Sequence, residues 1–309
     1  GLVGPPPPTG RSLDVAAVQG NDIESTSAAG VARVQTGRIV RVAERMVEAS
    51  RPLARAPGGP PDVVVWPENS LDADIRDTDN ASVRTLVAEA LDLTEGSRLV
   101  AGAYLQGPRP NTVYNVQAEV VAPGRLGQMY RKRSAVPFAE YVPARRWLGW
   151  LPGLEQVPND MLPGRGPQLL RFGDARVGTL ICFENVFPGL ARGEIREGAQ
   201  VLLVSTNNAS FGRTPMSRQH LAFSQVRAVE SGRWLLHAGI SGISGVIDPS
   251  GRLTLRTGLF RQDIVRADLP LIDGGTPAVR LGGLVGPAAM LAAALLVAWP
   301  VAQRRLRSR

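Results

Sequence analysis

The chain holds one cysteine, Cys182, and its 35 basic residues include one lysine, Lys132. A thiol becomes a strong nucleophile once a base takes its proton. A free cysteine is commonly a small core hydrophobe, but here the polar Glu184 and Asn185 follow at once in Ile181-Cys182-Phe183-Glu184-Asn185. In a composition this rich in arginine, a lysine serving only as surface charge could have been replaced. A compact ammonium can sit beside a developing oxyanion where a planar guanidinium does not fit. The third candidate is Glu68, in Val65-Trp66-Pro67-Glu68. A carboxyl group set just past a hydrophobic strand is partly desolvated, which raises its pKa and suits it to acid and base work.

These residues need rigid elements to bring them together. Ala175 to Ile181 reads as a buried strand delivering Cys182 at its carboxyl end, where α/β folds place chemistry, followed by a turn toward Pro188. Asp62 to Glu68 reads as a second buried strand, ended by a proline that cannot continue the ladder, with Glu68 as its last residue. Leu13 to Gln19, Leu99 to Leu105, Tyr114 to Val121, Val201 to Ser205, Arg233 to Ala238, Gly245 to Ile247 and Ile264 to Leu269 supply further strands. Helical spacing marks Val34 to Ser50, Ser82 to Leu93, Pro188 to Glu197 and Ser217 to Ser231, the last with Gly232 at its end. Alternating strands and helices imply a layered α/β fold rather than repeats. Arg125 to Tyr130 leads into Lys132 and then Pro137-Phe138-Ala139-Glu140-Tyr141-Val142-Pro143. The loop that follows carries Arg145, Arg146, Trp147 and Trp150. Its tryptophans either lie at a membrane interface or pack on the domain, and the sequence supports both readings equally.

Composition removes several function classes. Net charge is +8, but the arginines are scattered and aromatics are few, so no nucleic-acid partner is expected. His220, His237 and one cysteine cannot build a disulfide framework and argue against a zinc site or a histidine-based triad. No metal and no cofactor is expected. From Leu281 to Ala302 run 22 residues without a charge, followed by Arg304, Arg305, Arg307 and Arg309. As a helix this stretch reaches about 33 Å, enough to cross a bilayer core. Basic flanks stay cytoplasmic, which sets the expected orientation: tail 303–309 inside, globular domain outside. Residues 1–12 carry a four-proline run without an initiator methionine and read as an extended linker or a truncated edge. A domain exported ahead of its membrane helix needs an earlier signal. The expectation is the C-terminal part of a longer membrane protein.

In the order Glu68, Lys132, Cys182 the candidates resemble the Glu-Lys-Cys triad of the nitrilase superfamily, carried by Trp66-Pro67-Glu68, Tyr130-Arg131-Lys132 and Ile181-Cys182-Phe183-Glu184. Val136-Pro137-Phe138-Ala139-Glu140-Tyr141-Val142-Pro143, Gln19-Gly20-Asn21 and the closing apolar segment resemble bacterial apolipoprotein N-acyltransferases. The resemblance implies a four-layer αββα nitrilase-like sandwich over 13–272 with a transmembrane helix at 281–302. It also implies a cell-membrane enzyme that moves an acyl group from a phospholipid donor, through a Cys182 thioester, to the N-terminal amine of a diacylglyceryl-modified lipoprotein. Glu68 would be the base, with Lys132 and the Phe183 backbone amide stabilising the oxyanion. Glu140 and Glu184 would orient Lys132, while Asn115, Trp147 and Trp150 would contact lipid. Phe183 stands where a tyrosine is frequent, and Ser210 where a tryptophan is often found. The alternative is a membrane-tethered nitrilase-type amidohydrolase using the same triad and water on a small amide. A non-catalytic membrane scaffold would have no need of Cys182.

Overall fold

The computed structural model describes residues 4–22 and 31–307. In chain order the elements are β1 (Pro8–Gln19), α1 (Val31–Ser50), β2 (Val63–Leu71), α2 (Ala81–Leu93), β3 (Arg98–Gln106), β4 (Thr112–Ala122) and β5 (Arg125–Arg131). There follow α3 (Arg145–Leu148), β6 (Asp160–Met161), β7 (Leu170–Phe172), β8 (Ala175–Ile181), α4 (Pro188–Arg196), β9 (Val201–Thr206) and α5 (Met216–Ser231). The chain closes with β10 (Leu235–Gly239), β11 (Gly245–Ile247), β12 (Leu253–Arg256), β13 (Asp263–Ile272) and α6 (Pro277–Arg307).

Two sheets stack face to face. One runs β13-β1-β2-β3-β4-β5 with β6 beside β4, and the other β12-β11-β10-β9-β8-β7. Strand alternation decides which side chains go where. In β1, Val15 and Ala17 enter the core between the sheets, while Ala16 and Val18 face α1 and α2. In β9, Leu203 enters the inter-sheet core, and Leu202 and Val204 face α4 and α5. The result is four layers, helix, sheet, sheet, helix, as the sequence resemblance implied.

Helix ends and strand ends fall close to where the residue pattern put them. β8 spans Ala175–Ile181 and releases Cys182 into a short 3-10 turn, Cys182–Val186. Gly232 ends α5 in the left-handed region (φ 65°) that glycine enters freely. Two differences have local causes. β1 already begins at Pro8, paired with Ile272, within the stretch expected as a linker. β2 runs on through Pro67 to Leu71, because its register against β3 shifts between Trp66 and Leu71 and the proline falls in that irregularity rather than in the ladder. β7 and β12, three and four residues long, add the two edges of the second sheet beyond the strands expected from the sequence.

In α6, the segment Pro277–Trp299 is long and apolar enough to cross a membrane, and none of its apolar window is buried against the rest of the chain. The side chains Leu284, Val285, Leu291, Leu296 and Trp299 are exposed. An exposed apolar surface of this extent has no counterpart in an ordinary water-facing helix.

Candidate active site

Strands β8, β9 and β10 are parallel, with Ile181 beside Ser205 and Ser205 beside Ala238, so their carboxyl ends form one rim. Cys182 stands on that rim with φ 53°, a left-handed conformation that is costly for a residue with a Cβ. Glu184 holds it there. Its Oε2 accepts from the Ile181 amide (2.8 Å) and the Tyr130 hydroxyl (2.7 Å), and its Oε1 accepts from the Arg133 (2.6 Å) and Ser134 (2.9 Å) amides. One fully buried carboxylate therefore fastens the cysteine turn to the chain on both sides of Lys132.

The bulge in β2 delivers Glu68. It requires Gly102 on the neighbouring strand, since a Cβ there would lie 2.5 Å from both the Glu68 Cα and the Pro67 carbonyl oxygen. Glu68 is 4% exposed. Its Oε1 accepts from the Asn115 amide (2.7 Å) and the Lys132 ammonium (3.3 Å), and its Oε2 from the Asn207 backbone N–H (2.8 Å). Lys132 continues β5, its backbone N–H bonded to the Asn115 carbonyl (2.9 Å), and is 1% exposed. The ammonium also donates to Glu140 Oε1 at 2.5 Å, while Glu140 Oε2 accepts from the Val136 amide (2.8 Å). The segment from Val136 to Tyr141 thus folds back over the lysine.

The charges around the thiol set its state. Burial, followed by the nearby carboxylate of Glu68, pushes the Cys182 thiol up to about 12, against the opposing pull of Lys132 and the Thr206 hydroxyl. Burial alone would lower the Lys132 ammonium, but Glu68, the Cys182 sulfur and Glu140 outweigh it and hold the lysine well above its ordinary value. Burial and Glu68 raise Glu140 although Lys132 pulls it down. At neutral pH the cysteine is therefore a protonated thiol beside a buried cation shared by two carboxylates, and it needs a base at the moment of attack.

Glu68, Lys132, Glu140 and Cys182 are brought together as the sequence suggested. Glu184 supports the lysine through its neighbours' backbone rather than its ammonium, and the guanidinium of Arg133 goes instead to Glu194 (2.6 Å). Phe183 packs edge-to-face on Phe187 (5.6 Å between ring centres), both partly exposed. Asn115 is 2% exposed and donates its amide to Glu68, so here it positions the carboxylate. Trp147 and Trp150 are 73% and 77% exposed, which decides against packing on the domain. The Trp150 indole N–H caps the Trp147 carbonyl (2.8 Å), holding the two rings on one turn.

Several supporting residues escaped sequence reasoning. His220 from α5 places Nε2 3.1 Å from the Cys182 carbonyl; a carbonyl only accepts, so Nε2 carries the proton. Burial lowers this imidazole below its ordinary value, so it stays neutral and bonds the main chain, not the thiol. Asn185 from the cysteine turn reaches the His220 carbonyl (3.0 Å) and the Ser224 hydroxyl (2.9 Å), tying that turn to α5. The Asn207-Asn208 pair at the end of β9, like Asn185 after the cysteine, carried a local signal, polar residues at a strand end. Beside Glu140 opens a cleft of about 360 Å³ that Tyr104, Asp72 and Met161 also line. Among the described residues, no cluster of His, Cys, Asp and Glu could hold a metal ion.

The comparisons agree with this architecture. Residues 14–275 match the family described as carbon-nitrogen hydrolase. An apolipoprotein N-acyltransferase from Mycolicibacterium smegmatis is 34% identical over 77% of this chain and 40% of its own length. One from Azotobacter vinelandii is 32% identical over 96% of this chain and 55% of its own length. The chain thus spans about half the length of the curated relatives it matches. Among solved structures, an amidase of the nitrilase superfamily from Nesterenkonia AN1 superposes with a TM-score of 0.60 at 19% identity, covering 94% of this chain and 99% of that one. A CN-hydrolase superfamily protein from Xanthomonas campestris gives a TM-score of 0.58 at 16% identity, covering 91% of this chain and 97% of that one.

Proposed function

The chain belongs to the carbon-nitrogen hydrolase family, the nitrilase superfamily of enzymes, and from that membership we propose that it carries the acyl-transfer site of an apolipoprotein N-acyltransferase, with Glu68, Lys132 and Cys182 as the reacting residues. The observation that carries the proposal is the buried Lys132 ammonium bridging Glu68 and Glu140 beside a thiol that remains protonated.

Glu68 takes the thiol proton as the sulfur attacks an ester carbonyl of a phospholipid. Negative charge moves to the carbonyl oxygen, where Lys132 and the Phe183 backbone N–H receive it. Preorganised donors of this kind typically contribute ~10² to 10³ in rate. Collapse breaks the ester C–O bond; Glu68 returns the proton to the departing alkoxide, leaving a lysophospholipid and a Cys182 thioester. The α-amine of a lipoprotein's diacylglyceryl-modified N-terminal cysteine then attacks the thioester, Glu68 accepts its proton, and the thiolate leaves and is reprotonated. An amide has replaced the thioester.

The membrane setting favours this substrate over a small amide. Trp147 and Trp150 stand exposed beside Arg145 and Arg146, the pairing that suits headgroup depth, and α6 supplies an anchor. In our reading the catalytic domain lies on the extracytoplasmic side and the arginine tail inside.

The test is intact mass spectrometry of the detergent-solubilised chain after incubation with phospholipid, comparing wild type with Cys182→Ser. An added mass of one fatty acyl group, released by hydroxylamine and absent from the variant, is the expected result. A folded wild-type protein that gains no acyl group while hydrolysing short amides would overturn the transferase assignment in favour of an amidohydrolase.

A further inference from the structure

On the rim that carries Cys182, the loop after β9 and the start of α5 form one wall of a second cavity of about 490 Å³, within the usual range for small-ligand sites. Its lining includes Arg213, Arg218 and Arg256, and no carboxylate. Among the described residues none of these three guanidiniums makes an ion pair, although Arg227 and Arg252 nearby are paired with Glu230 and Asp248. Arg213 lies over the Phe260 ring (5.2 Å), which steadies its stem and leaves its donors free.

Ser217 supplies the independent observation. It is 1% exposed and lines the cavity, yet its hydroxyl has no hydrogen-bond partner. A buried hydroxyl left without a partner is costly unless something else supplies one. Ser217 is also the second residue of α5, a 16-residue helix; the Met216 amide goes to the Thr214 hydroxyl (3.4 Å) and those of Arg218 and Gln219 to the Pro215 carbonyl (3.0 Å each), so what the helix start adds is the positive end of its dipole. Three unpaired guanidiniums, an orphan hydroxyl and the positive end of a helix dipole are together complementary to a phosphate group.

We propose that this cavity is a phosphate subsite that receives the phosphodiester of a glycerophospholipid acyl donor; the assignment rests on the phospholipid reading above. Its place along α5 fits. Ser217 and His220 are three residues apart and share a helix face, and His220 bonds the Cys182 carbonyl, so the cavity lies about one helical turn from the residue that touches the cysteine turn. Fixing the headgroup there leaves the ester linkages, a few bonds away, to reach the thiol.

The test uses the full chain in detergent and two acyl donors, dioctanoyl phosphatidylglycerol and p-nitrophenyl octanoate, which has no phosphate. Acylation of Cys182 is followed by mass spectrometry in wild type, Ser217→Ala, and the combined Arg213→Gln, Arg218→Gln, Arg256→Gln variant, whose changes are all at exposed side chains. The arginine variant should need roughly tenfold more phospholipid for half-maximal acylation, with the maximal rate and the octanoate reaction unchanged. Inorganic phosphate should compete with the phospholipid in wild type alone. An unchanged phospholipid requirement in the arginine variant, with wild type acylated normally, overturns the subsite and leaves the transferase standing. If wild type accepts octanoate but no phospholipid, the donor reading fails and with it the lipid assignment. Calorimetry with inorganic phosphate then decides whether a free-phosphate site remains: heat lost in the arginine variant retains the anion site, and no heat in wild type removes it.

Discussion

Replacing Glu68 with glutamine should move two properties of Cys182 in opposite directions. Burial pushes the thiol up to about 12, and the Glu68 carboxylate beside it adds to the rise. At pH 8 such a thiol is overwhelmingly protonated. Removing the negative charge while Lys132 keeps its own lowers the thiol pKa, so alkylation by iodoacetamide, which counts thiolate, becomes faster. Acylation by phospholipid becomes slower by ~10² to 10⁴, the usual worth of a positioned general base. The structure also predicts the cost to the fold. A glutamine oxygen in the Oε1 position keeps the donors from Asn115 and Lys132, while its NH₂ group faces the Asn207 N–H, 2.8 Å from Oε2 in the native protein. One buried donor loses its acceptor, a loss of about 1 to 3 kcal/mol in a chemical denaturation curve. The assay pairs the pH profile of iodoacetamide labelling with mass-detected acylation on the same preparation. Faster alkylation with unimpaired acylation would refute Glu68 as the base, and slower alkylation would refute the charge arrangement around the thiol.

Lys132→Met removes the buried cation shared by the buried Glu68 and the half-buried Glu140; unfolding free energy should fall by about 3 to 5 kcal/mol, and acyl adduct should vanish even where the variant is folded by circular dichroism. Gly102→Ala places a methyl group 2.5 Å from the Glu68 Cα; the expected result is a drop in acylation rate larger than the drop in melting temperature would explain, because the bulge that aims Glu68 must shift. Tyr130→Phe takes one of the donors from the Glu184 carboxylate; stability should fall by about 1 to 3 kcal/mol, and the maximal acylation rate should fall with little change in half-saturating phospholipid. Replacing Trp147 and Trp150 together by alanine, both largely exposed, should leave the melting temperature unchanged and weaken adsorption of the chain to phosphatidylglycerol vesicles in a flotation assay.

The sequence alone was enough to single out Glu68, Lys132 and Cys182 as candidates and, through the resemblance they carry, to expect the order of the layers. A single cysteine and a single lysine are conspicuous by type, and buried strands announce themselves because a side chain's face alternates along the backbone regardless of what it packs against. The apolar length of α6 is likewise a property of composition. What surrounds the triad belongs to the tertiary structure, because it depends on residues distant in the chain meeting at strand ends. Glu184 reads locally as a polar residue after a cysteine; only the approach of β5 shows that it binds the amides of Arg133 and Ser134. Asn115 reads as a strand residue open to substrate; only the pairing of β4 with β3, and the bulge of β2 over Gly102, turn it toward Glu68. His220 and Ser217 lie on a helix whose own pattern names neither, and they acquire their places because α5 packs across the cysteine turn. Residue chemistry is written in the chain one position at a time, whereas hydrogen-bond partners and local charge are set by neighbours that the fold supplies from far along it.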